Sequence, residues 1–98
     1  MFILLTYDID FESDGGRRRL SKVAKLCEGY GVRVQKSVFE MSIDISQLTK
    51  LKYELKNIID TKADSIRIYK MGKTYKSDVT VIGIKEKVEL STDDALFF

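Results

Sequence analysis

The sequence predicts a single α+β domain in which two helices cover one face of an antiparallel sheet. Three observations lead there. The chain has 98 residues, the length of one domain. Its hydropathy switches between strand-like runs and helix-period stripes in the order strand, helix, strand, strand, helix, strand, strand. It contains no proline, so no regular element is broken by that residue.

Met1 to Tyr7 opens the chain with Phe2, Ile3, Leu4 and Leu5, apolar on both parities. Such a run predicts a strand buried on both faces and central in the sheet. Asp8 to Gly16 is a polar loop. From about Arg17, the residues Leu20, Val23, Ala24, Cys27 and Tyr30 recur at helical spacing. Ser13 or Asp14 is the expected cap of this helix, and Gly29 and Gly31 mark its end. Val32 to Ile43 reads as two short strands with a turn near Lys36 and Ser37. Asp44 or Ser46 caps a second helix with the stripe Leu48, Leu51, Leu55, Ile58 and Ile59, ending between Asp60 and Asp64. Ser65 to Met71 is a strand with Ile66 and Ile68 inward and Arg67 and Tyr69 outward. After Gly72 and a basic stretch with Lys73 and Lys76, a last strand carries Val79, Val81, Ile82 and Ile84.

The first six elements follow the split βαβ plan of ferredoxin-like folds, βαββαβ. The additional C-terminal strand is surplus to it and needs a sheet edge, which a neighbouring molecule can provide. Residues 1–84 are therefore expected to form the ferredoxin-like domain, and 85–98 a C-terminal tail that packs on a dimer partner.

The composition narrows the function. There is no histidine, which excludes a Ser-His-Asp triad, a Cys-His pair and a histidine metal site. One cysteine, Cys27, allows neither an intrachain disulfide nor a structural zinc site, and it lies on a helix's apolar stripe. The opening run is too short for a signal peptide, and no stretch has the roughly 20 apolar residues of a membrane span. No membrane partner is expected, and the cytoplasm is the expected location. A net charge of +2 is too small to imply nucleic acid by itself.

The arrangement of charge says more. Asp8 directly follows the central strand, where a carboxylate is either a turn residue or a hard oxygen ligand for Mg²⁺ or Mn²⁺. One carboxylate is a thin metal site, but two-fold symmetry would bring two Asp8 side chains to one ion. Asp10 shares the parity of Asp8 and is either a second ligand or, the commoner case, a solvated loop acid. Gly15 and Gly16 precede Arg17, Arg18 and Arg19 at a helix N-terminus, where anions are favoured and glycine permits close approach. The arginines would add bidentate phosphate donors, or form a solvated face. Arg33 and Gln35 share a strand parity, either as a phosphate-reading stripe or as an exposed strand face. Tyr7 and Phe39 are core aromatics or base-stacking platforms.

Three segments are specific in combination: LLTYDID, then GGRRRLSKVAKLCEGYG, then RVQKSVFE. With LTKLKYELKNIID and DSIRIYKMGKTYKSDV, they make nearly the whole chain resemble the small CRISPR-associated adaptation endonuclease family. These proteins partner the CRISPR spacer integrase, and the likeness is to the subtype I-C branch. The resemblance implies a ferredoxin-like homodimer whose last strands add to the partner's sheet. It implies a metal-binding, catalytic Asp8 holding Mg²⁺ or Mn²⁺. It also implies phosphate contacts from among Arg17, Arg18 and Arg19 and from Arg33, and a dimer cleft shaped by Tyr7, Ser37 and Phe39.

Two functions follow from that resemblance. One is a metal-dependent endonuclease that hydrolyses double-stranded DNA, or single-stranded RNA, during spacer acquisition. The other is a non-catalytic dimeric scaffold that clamps protospacer DNA within the integrase complex. Asp8 matters to the first and not to the second.

Overall fold

The computed structural model describes residues 1–71 and 78–83. Its elements are β1 (Phe2–Asp8), α1 (Gly16–Glu28), β2 (Val32–Gln35), β3 (Val38–Ser42), α2 (Ile45–Ile58), β4 (Ser65–Met71) and β5 (Asp78–Gly83). They build one sheet in the order β2-β3-β1-β4-β5, antiparallel at every pairing. The βαββαβ plan is thus present, with the surplus strand at the β4 edge.

β1 is central, as its apolar run predicts, and among the described residues the helices cover one of its faces. Ile3, Leu5 and Tyr7 join Val23 and Cys27 of α1 and Leu48, Leu51 and Leu55 of α2 in one core. Since these β1 residues share a parity, both helices lie on the same face. Phe2 and Leu4, on the other face, are exposed and half-buried respectively. Among the described residues no helix covers that side. Each fully buried Leu or Ile contributes roughly 1.5–3 kcal/mol through lost apolar hydration, so the core rests on the helix-facing side.

The two helices begin differently. Asp44 caps α2 with a reciprocal capping box: its carboxylate accepts from the Gln47 N–H at 2.7 Å, and the Gln47 side chain accepts from the Asp44 N–H at 2.9 Å. α1 has no side-chain cap. Neither Ser13 nor Asp14 fills that role; Gly15 stands at the cap with φ 75°. The loop instead folds back on itself, with the Gly16 N–H donating to Ser13 O at 2.9 Å and Ser13 N–H to Asp10 O at 3.3 Å.

β5 pairs with β4 of its own chain, from Ser65 opposite Gly83 to Lys70 opposite Asp78. A short connection makes this local closure entropically cheap. Two further expectations change. Tyr69 is buried rather than solvent-facing. The register shifts between Arg33 and Gln35, so Arg33 lies opposite Phe39 while Gln35 lies opposite Val38. Adjacent residues on β3 point to opposite faces, and the bulge therefore breaks the proposed Arg33–Gln35 stripe. Lys73, Lys76, Ile84 and the tail 85–98 lie outside the described residues.

Candidate functional site

The C-terminal end of β1 opens into a cleft of about 430 Å³ lined by Asp8, Ile9, Asp10, Phe11, Glu12 and Ala63. Asp8 is exposed there, and its carboxylate has no hydrogen-bond partner among the described residues. Its backbone is held on one side by pairing with Ser65. Two residues on, the Asp10 N–H donates to Asp64 Oδ1 at 2.9 Å. Ile9, between them, is buried. Asp8 is thus a solvent-facing carboxylate on a fixed backbone.

Tyr7 and Phe39 lie in the core. Their rings stack with centroids 6.2 Å apart. The Tyr7 hydroxyl donates to Lys36 O at 3.1 Å, and the Tyr7 N–H donates to Ser37 O at 3.1 Å. Burial raises the Tyr7 pKa, partly offset by the charge of Arg33. Of their two sequence readings, the structure gives the core one. Tyr7, Ser37 and Phe39 tie the end of β1 to the β2–β3 turn.

The arginines separate into distinct environments. Arg17 and Arg18 are exposed on the first turn of α1, which contains no acidic residue. Arg33 sits 5.2 Å from the centre of the Phe39 ring and 3.4 Å from Glu28 Oε2, an exposed ion pair of modest value. Arg19 is turned inward. Its Nε donates to Asp64 Oδ2 at 2.7 Å, Nη1 to Asp14 O at 2.8 Å and Nη2 to Ser13 Oγ at 2.7 Å. The Arg19 side chain is 13% exposed and that of Asp64 0%. Burial by itself raises the Asp64 pKa, but the bonds from Arg19 and from the Asp60 and Asp10 N–H groups outweigh it and hold the carboxyl below its ordinary value.

The glycines before α1 serve the protein itself. A Cβ on Gly16 would overlap Asp10 O and the backbone of Phe11. The close approach expected of this position is therefore made by the chain's own loop, not left open to a phosphate.

Sequence reasoning missed two residues. In the sequence Asp64 marks only the end of a helix, because its partner Arg19 is 45 positions away and no local pattern links them. Phe11, 49% exposed on the cleft wall, was hidden in a loop read as polar. Its signal was an aromatic residue between two acids.

A ferredoxin-like sheet with an exposed carboxylate at the end of its central strand, followed in the chain by a basic helix start, defines the structural class. Residues 1–79 match the family described as CRISPR associated protein Cas2, and the chain belongs to that family. It is 51% identical over 98 residues to the CRISPR-associated endonuclease Cas2 of Halalkalibacterium halodurans, covering 100% of both chains. It is 46% identical over 90 residues to the CRISPR-associated endoribonuclease Cas2 of Chlorobaculum tepidum, covering 92% of this chain and 94% of that one. The fold superposes on the crystal structure of Streptococcus pyogenes Cas2 at pH 6.5 with a TM-score of 0.69 and 51% identity, over 76% of this chain and 90% of that one.

Proposed function

We propose that the chain is a metal-dependent endonuclease of CRISPR adaptation, which hydrolyses phosphodiester bonds in double-stranded DNA or single-stranded RNA. The observation that carries this reading is the exposed Asp8 carboxylate, fixed at the end of β1, with Arg17 and Arg18 exposed at the start of the helix that follows. The endonuclease and endoribonuclease names of its relatives support it.

The donor set suits a hard cation. Mg²⁺ keeps several waters and is held by one or two carboxylates together with substrate phosphates. Among the described residues no three metal-ligating side chains gather in one chain. Asp8 therefore serves as one ligand, and Asp8 of a second copy as the other. The sheet face that no helix covers among the described residues supports such a homodimer: Phe2, 44% exposed, lies opposite Met71, 36% exposed, with Leu4 beside them. When bound, the ion neutralises charge on the phosphodiester and lowers the pKa of the attacking water. Arg17 and Arg18, at the positive end of α1, hold the flanking phosphates without reading sequence. Arg33 keeps its sequence-based assignment as an outlying phosphate contact; this requires it to leave the exposed pair with Glu28. The dimer would act with the CRISPR integrase.

The test is cleavage of labelled duplex DNA and labelled single-stranded RNA with Mg²⁺, with Mn²⁺ and with EDTA. Cutting of either substrate that EDTA abolishes is the expected result and identifies the substrate. Cutting that persists in EDTA would exclude the metal.

A further inference from the structure

Asp64 is the one buried charged residue among the described residues. It sits immediately before Ser65, which pairs with Asp8 across the sheet. Its two carboxylate oxygens accept from four donors: Asp10 N at 2.9 Å, Asp60 N at 2.9 Å, Arg19 Nε at 2.7 Å and Arg19 Nη2 at 3.3 Å. The other Arg19 hydrogen bonds, from Nη1 and Nη2, go to Asp14 O, Ser13 Oγ and Asp10 O, all in the loop that leaves β1.

We propose that Asp64 and Arg19 are positioning residues for the Asp8 carboxylate, and that phosphate contact on α1 falls to Arg17 and Arg18. This rests on the nuclease reading above. The geometry argues for it in two ways. A guanidinium whose fork is already matched to a buried carboxylate would have to leave that carboxylate unpaired in order to bind a phosphate, which is strongly unfavourable. And the pair grips the chain two residues beyond Asp8, so the direction of the Asp8 side chain depends on it. A lysine cannot replace Arg19, because the bonding uses separate Nε, Nη1 and Nη2 donors.

The test uses the full chain. Binding to a labelled duplex in EDTA across a salt series reports the number of phosphates contacted. Arg17→Ala and Arg18→Ala are each expected to reduce the magnitude of the salt slope by about 1. The double variant Arg19→Gln, Asp64→Asn removes one charge of each sign. It is expected to fold, as read by circular dichroism and a single urea transition, and to keep the wild-type slope. Its turnover with Mg²⁺ is expected to fall about 10- to 100-fold with little change in KM, as for a displaced reacting group. Arg19→Lys is expected to lose turnover similarly although it keeps the charge. A smaller slope in the double variant, or wild-type turnover in Arg19→Lys, overturns the assignment.

If the wild type cuts neither substrate, the nuclease reading falls separately. Mn²⁺ affinity, with Asp8→Ala as the blank, then decides the positioning claim. Weaker Mn²⁺ binding in the folded double variant supports it; no Mn²⁺ binding by the wild type, or equal binding in both, overturns it.

Discussion

Gly83, the last residue of β5, rests on the backbone of Asp64 so closely that a Cβ there would overlap the Asp64 carbonyl oxygen. Its φ of 105° is also one that other residues avoid. The end of β5 therefore closes directly over the residue that anchors Arg19. Gly83→Ala is expected to cost about 1–3 kcal/mol from backbone strain alone, with the overlap adding to it. A lower urea midpoint checks this; an unchanged midpoint would mean that β5 does not close on Asp64 in solution.

The Arg19–Asp64 pair has a pH signature. The Asp64 pKa is lowered in the folded chain, so folding favours its ionised form. That stability is fully present above the unfolded carboxylate pKa of about 3.9 and is lost as pH falls through the lower folded value. Asp64→Ala, which leaves Arg19 unpaired, is expected to cost about 3–5 kcal/mol at pH 7. Urea unfolding at several pH values checks both statements. In Asp64→Asn the decline of stability in acid should be shallower than in the wild type.

Cys27 is fully buried, and burial pushes its thiol pKa up to about 12, against a smaller lowering by Arg33. At pH 8 almost none of it is thiolate, the reactive form. An Ellman assay on the native protein is expected to give no rapid signal and one equivalent per chain after denaturation. Rapid native labelling would contradict the packing of α1 against β1.

The α2 cap is testable by itself. Asp44→Ala removes the bond to the Gln47 N–H and is expected to cost about 1 kcal/mol, read as a shift in thermal midpoint. Because the cap is remote from Asp8, cleavage by the folded variant should be unaffected.

The same residues show what was legible in the sequence. The α2 stripe and its aspartate cap were readable because helix periodicity and capping are local rules, and Leu48, Leu51 and Leu55 are all buried. The turn at Lys36 and Ser37 and the centrality of β1 followed from hydropathy. That both described helices lie on one β1 face did not, because an apolar run does not say how many layers cover a sheet. The cap of α1 was misread because Arg19, not Ser13 or Asp14, organises the loop. Three adjacent arginines look alike in sequence; a carboxylate 45 positions away separates them. The bulge after Arg33 likewise left no mark in the residue pattern.

The central claim is that Asp8 carries metal-dependent cleavage. The most direct measurement compares the wild type with Asp8→Ala, both shown to be folded, in cutting labelled duplex DNA and single-stranded RNA with Mg²⁺. The account predicts cutting by the wild type and loss of about 10²-fold or more in Asp8→Ala, with duplex binding in EDTA unchanged or slightly tighter. Equal cutting by both proteins, or none by the wild type, would contradict it and leave a DNA-clamping scaffold as the function of this fold.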